Sequence, residues 1–111
     1  MKYALLICDD ETVMPSNENL AADPVHQAWV ADLERRGAEL FGVRLRPVSD
    51  ASTVRVRDGE TLVSDGPFAE TKDFVGGVVV VECRDLDEAI EIAAGHPYAR
   101  WGEVEIRPVW E

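Results

Sequence analysis

Two stretches of this chain share one local plan: a run of strand-forming residues, an aspartate placed to cap a helix, a helical run stopped by glycine, and a second strand. In the first, residues 2–8 form an apolar run fit for a buried strand. Asp23-Pro24 then announces a helix, because aspartate is a favoured N-cap and proline's missing N–H costs nothing at the first helical position. Val25, Ala28, Trp29 and Leu33 recur at helical spacing, Arg35 and Arg36 close the last turn, and Gly37 supplies the stop. A strand is expected over 39–47, and residues 9–19, polar and containing Pro15, are expected to be a loop.

In the second stretch, residues 77–83 are the most apolar of the chain, fit for a central strand. Asp85-Leu86-Asp87-Glu88 follows the capping-box pattern, with Asp in the Ser/Thr place. Leu86, Ala89, Ile90 and Ala93 mark the helix's buried face, Gly95 its end, and residues 103–107 alternate as a last strand bounded by Pro108. Between the halves, residues 53–57 and 60–64 flank Asp58-Gly59, a dipeptide preferred in two-residue hairpin turns. Gly66-Pro67 and Gly76-Gly77 are turn signals within a loop over 65–76, the glycine pair giving tight entry to the central strand.

Two β-α-β halves make the split arrangement of ferredoxin-like domains: an α+β sandwich of one antiparallel sheet with two helices on one face, here with an inserted hairpin. With 111 residues and no linker or repeat, residues 1–111 form one domain. The sheet's second face would be bare, and packing it on a second copy, as in dimeric α/β barrels, is the simplest cover. Trp29, Trp101 and Trp110 are expected in the core or at that interface.

The charge balance excludes some partners. With 22 acidic against 11 basic residues and a net charge of -11, the chain has no basic stripe with which to neutralise phosphates. Direct nucleic-acid or membrane binding is therefore not expected. The apolar N-terminal run meets Asp9-Asp10-Glu11 too soon for an export signal or a membrane span, which points to the cytoplasm. Cys8 and Cys83 fall at opposite ends of neighbouring antiparallel strands, so no disulfide is expected.

The same topology gathers Asp9, Asp10, His26, Asp65, Lys72, His96, Tyr98 and Arg100 at one end of the domain. His26 stands at the third helical position, where the positive end of the helix dipole favours neutral imidazole. Such a ring can take a proton; it can also simply pack or cap at a helix start. His96, after Gly95, suits either this end or a plain helix-end cation. Asp9, Asp10 and Glu11 can be a solvated loop, and no paired-histidine or Cys-x-x-Cys spacing supports a metal. No phosphate-binding glycine loop or cofactor motif occurs, so no cofactor is expected.

Asp65-Gly66-Pro67-Phe68-Ala69-Glu70-Thr71-Lys72 is less generic. Asp-Gly-Pro makes a rigid turn, Phe68 can anchor the loop in the core, and Glu70 and Lys72 stay polar. The octapeptide, with Gly76-Gly77 beyond it, resembles the signature of the DGPF branch of the YCII-related proteins. The resemblance extends to Met1-Lys2-Tyr3, Thr53-Val54-Arg55, residues 85–89 and residues 103–109, and so to essentially the whole chain. It implies a ferredoxin-like domain that commonly dimerises, and a suspected acid-base pair of a first-helix histidine with an aspartate in a late Asp-Pro step. His26 matches the histidine, whereas His96-Pro97 stands where the Asp-Pro is expected. Asp65 or Asp9 would then have to supply the carboxylate.

Two functions follow. In one, a pocket holds an unidentified small molecule, with His26 as acid or base and Asp65 orienting it. Asp9, Phe68, Lys72 and His96 would line the pocket, and Arg55 or Arg100 would neutralise an anion; the chemistry implied is lyase- or isomerase-like. In the other, the homodimer is a non-catalytic module linked to extracytoplasmic-function sigma factors through a protein partner.

Overall fold

The computed structural model describes residues 1–13, 15, 17–69 and 71–111; Glu70 and part of the expected loop over 9–19 lie outside them. In chain order the elements are β1 (Lys2–Asp9), α1 (Asn17–Ala22), α2 (Pro24–Arg36), β2 (Glu39–Arg44), β3 (Ser52–Arg57), β4 (Glu60–Asp65), β5 (Phe74–Glu82), α3 (Leu86–Ala94), α4 (Tyr98–Trp101) and β6 (Glu103–Pro108). Short 3-10 turns occupy Glu11–Val13 and Val48–Asp50.

Four strands form an antiparallel sheet in the order β2-β5-β1-β6, as in a ferredoxin-like α+β domain. Strict alternation sets its faces. Tyr3, Leu5, Ile7 and Asp9 of β1 and Val79 and Val81 of β5 are buried, together with Trp29 and Leu33 of α2 and Ala89, Ile92 and Ala93 of α3. Leu5 lies opposite Val79 on one side and Ile106 on the other, in the middle of the sheet. On the far face Ala4, Leu6, Val78 and Val80 are half-buried, while Phe41 and Val43 of β2 are exposed.

The caps follow the local chemistry. The Asp23 carboxylate accepts from Val25 N–H at 2.8 Å, and Gly37 takes the left-handed conformation (φ 60°) that ends α2. Asp85 accepts from Glu88 N–H at 2.9 Å, but Glu88 returns the bond to Arg84 N–H rather than to the cap residue. Arg36 ties the helices together through Asp32 on α2 and Glu88 and Glu91 on α3.

Several expectations are corrected. The loop over 9–19 holds a 3-10 turn and the start of α1. Strand β2 ends at Arg44, before Pro47, because Leu45 N–H makes the last bond, to Gly76 O at 2.8 Å. Gly76-Gly77 is no turn: β5 starts at Phe74, opposite Asp9, because a register shift after Ile7 lets β1 continue. Leu86 and Ile90 are exposed, since the face of α3 toward the sheet is Ala89, Ile92 and Ala93. Ala28 likewise points away from the core, while α4 is a one-turn helix following Pro97. Cys8 and Cys83 are free thiols at opposite ends of the β1–β5 pair.

The hairpin β3–β4 forms a separate two-stranded sheet, turned by Asp58 (φ 52°) and Gly59 (φ 78°). Val54, Val56 and Val63 share one of its faces, and all three are exposed. The Cα radius of gyration is 15.8 Å, against about 13 Å for a compact chain of this length. The projecting hairpin fits that excess. Phe68 does not anchor the adjoining loop in the core: it is 80% exposed.

Candidate functional site

A cavity of about 340 Å³ opens on the helix-bearing side of the sheet. Ile7, Leu20, Val30 and Val79 supply apolar wall, and His26, Glu39, Arg44, His96 and Tyr98 supply the polar groups. Gly76 and Gly77 also line it. A Cβ on Gly77 would stand 3.3 Å from the Val43 carbonyl oxygen and 3.9 Å from Ile7, so there is little slack beside it. The volume is at the lower end of those that hold small ligands, and apolar walls with few polar groups are typical of such sites.

The histidines arrive from different elements. Asp23 and Pro24 start α2 so that His26 falls in its first turn; His96 follows α3, just before Pro97. Their ring centroids are 5.8 Å apart and nearly perpendicular. Trp29 fixes the neighbourhood: its indole N–H donates to Ile92 O at 2.7 Å, and its ring meets His96 edge-on at 4.7 Å. Tyr98 closes the other side of His96 at 5.3 Å. Arg44 donates to the Pro15 carbonyl, and its guanidinium stands 3.4 Å from the Tyr98 hydroxyl.

This packing keeps both rings neutral at pH 7. Burial lowers the His26 pKa; Asp23 opposes that shift and the charge of Arg44 assists it. His96, only 4% exposed, is pushed down to about 4 by burial, assisted by His26. Burial also raises the Tyr98 hydroxyl, against the opposing effect of Arg44.

Residues 1–111 match the YCII-related domain over their whole length. The chain belongs to the YCII-related family. It is also 36% identical, over 115 residues covering 98% of this chain and 92% of the relative, to the uncharacterized protein R00369 of Rhizobium meliloti (strain 1021).

Within this YCII-related chain, the residues nominated from sequence separate into three places. His26 and His96 share the cavity. Asp9 is 1% exposed on the helix side of β1 but does not line the cavity. One of its oxygens accepts from Asp10 N–H at 2.7 Å, and the other is buried without a hydrogen-bond partner among the described residues. Burial raises its pKa, outweighing the Asp10 bond and a smaller lowering from the Trp101 side chain. Asp65, Arg55 and Phe68 sit on the hairpin and its following loop, and Lys72 and Arg100 are likewise exposed; none of the five lines the cavity. Tyr98 lines it, as the topology suggested.

The arginine at the cavity is Arg44, which was not nominated. Its signal was legible: with Phe41 and Val43 on the far face, alternation puts Gly42 and Arg44 on the helix side at the end of β2. No group of three or more His, Cys, Asp or Glu side chains that could hold a metal occurs among the described residues. No helix among them is long and apolar enough to cross a membrane.

Proposed function

We propose that this YCII-related protein is a cytoplasmic homodimer of the DGPF branch whose cavity binds a small molecule, with His26 as the acid or base of a lyase- or isomerase-like proton transfer. The observation that carries this reading is the cavity itself: about 340 Å³, largely apolar-walled, with two neutral histidines, an arginine and the Glu39 carboxylate on its lining. A neutral imidazole in such a place accepts a proton readily, and the nearby guanidinium favours an anionic or anion-forming ligand. In place of the Asp-Pro aspartate that the resemblance implies, the chain carries His96, and Glu39 puts a carboxylate on the same lining as His26. The apolar far face, with Phe41 and Val43 exposed, supports the homodimer as its cover.

Thermal unfolding against a panel of small carboxylates, phenols and lactones, at fixed protein concentration, tests the reading. A ligand at a hundred times its Kd adds about 2.7 kcal/mol, and the resulting rise in midpoint should vanish in His26→Ala. A flat panel together with an unaltered variant counts against it.

A second reading draws on a different observation. The exposed valines of the hairpin, on a strongly acidic chain, suit a non-catalytic module that contacts a basic partner linked to extracytoplasmic-function sigma factors. His26→Ala would leave that function intact.

A further inference from the structure

Resting on the pocket reading above, we propose that His96 is the oxyanion-binding residue of the cavity, presenting a neutral Nε2–H to the oxygen of a small, largely apolar carbonyl compound whose adjacent C–H faces His26. The tautomer follows from one bond. Tyr98 N–H lies 3.0 Å from His96 Nδ1. A backbone N–H can only donate, so Nδ1 holds a lone pair there, and the neutral ring carries its proton on Nε2. Local sequence explains why that bond forms: Pro97 has no N–H, so Tyr98 offers the first donor of the α4 turn, and the residue two before it satisfies it.

The ring has little freedom to do otherwise. Trp29 and Tyr98 meet it edge-on, and protonating it would place a second donor against the Tyr98 N–H in a site almost closed to water. Nε2 has no acceptor among the described residues, although the ring lines the cavity. A fixed donor beside apolar wall, unmatched among the described residues, is suited to charge that develops on a ligand oxygen. Neither Asp9 nor Asp65 lines the cavity; the carboxylate that does is Glu39, on the edge strand β2 beside Gly42.

The step so served is enolisation. A proton leaves the carbon next to the carbonyl for the free nitrogen of His26, the C–H electron pair becomes the C=C bond, and the carbonyl π pair moves onto oxygen. His96 holds that oxygen through Nε2–H, and His26 returns its proton to the same carbon or, where a further C=C bond is conjugated with the enolate, to the far end of that bond. No oxidant or co-reactant is needed. Arg44 adds positive charge on the same lining.

The probe is 4-nitrophenol, an oxyanion mimic whose ionised and neutral forms absorb at different wavelengths. Below its solution pKa, wild type should bind it and shift the bound molecule toward phenolate. His96→Phe should lower phenolate affinity about ten- to a hundredfold, the range of a hydrogen bond to a charged group, while His96→Gln, which keeps an N–H donor, should restore most of it. A ¹⁵N imidazole spectrum of the unaltered protein should show His96 as the Nε2–H tautomer at pH 7, whether or not the variants fold. Bound phenol that stays neutral, or a His96 that is cationic or protonated on Nδ1, overturns the proposal and leaves the pocket standing. No binding of the probe by wild type overturns the pocket reading and this proposal together.

Discussion

Acid should unfold this protein partly through one ring. His96 has a pKa of about 4 in the fold against an ordinary 6.5, because its burial opposes charge. Between those values the unfolded chain binds a proton that the folded chain does not, so stability is full above pH 6.5 and is lost as pH falls toward 4. One pKa unit corresponds to 1.36 kcal/mol, so the loss from this residue is about 2 kcal/mol by pH 5 and about 3 kcal/mol once both states are protonated. In a domain of this size each kcal/mol moves the thermal midpoint by roughly 4–8 °C. His26, also lowered, adds to the same trend. The assay is urea unfolding from pH 7.5 to 4.5 for wild type and His96→Gln, whose side chain can still accept from Tyr98 N–H but does not titrate. Subtracting the two curves cancels the carboxylates. The difference should grow in the variant's favour as pH drops. A difference flat across that range would refute the burial argument for His96.

Three other outcomes follow from the same structure. Asp9→Asn should raise stability at pH 7, because burial raises the carboxyl's pKa and ionisation is therefore penalised in the fold. That advantage should close as pH falls below about 4, where the unfolded carboxyl is protonated too; a variant less stable at pH 7 in urea unfolding would contradict it. Gly102→Ala should cost on the order of 1–3 kcal/mol, since its Cβ would fall 2.2 Å from the Cys8 carbonyl oxygen and the backbone must shift; an unchanged thermal midpoint would count against that close approach. Phe41→Glu should convert a sedimenting dimer into a monomer, because Phe41 stands exposed on the far face of the sheet; a wild type that sediments as a monomer would remove the dimer from the proposal.

Much of the fold was legible because its signals are local. Asp23-Pro24, Gly37, Asp85 and Asp58-Gly59 each specify a backbone conformation through their own chemistry, and each acts where expected. Burial was less legible, because it depends on what lies opposite. Ile90 has the right spacing for the core, but the angle at which α3 meets the sheet exposes it. Phe68 has the right chemistry for an anchor, but it follows a hairpin that projects from the domain. Topology placed the two histidines at one end, yet it also sent Asp65 there. It could not register that β3 and β4 form a sheet of their own and carry Asp65 and Arg55 away from the cavity. Arg44 was readable from alternation in β2, but only with the far face of the sheet already assigned.

The most direct test uses the fact that the chain has two histidines. Their imidazole C–H resonances can be followed by NMR during titration with small phenols and carboxylates, and assigned with His26→Gln. A ligand of the cavity should shift both resonances together with one dissociation constant, since the two rings lie 5.8 Å apart on the same lining. Ligands that bind while both histidines stay unmoved, or a panel in which nothing binds, would contradict the claim that this cavity is the functional site.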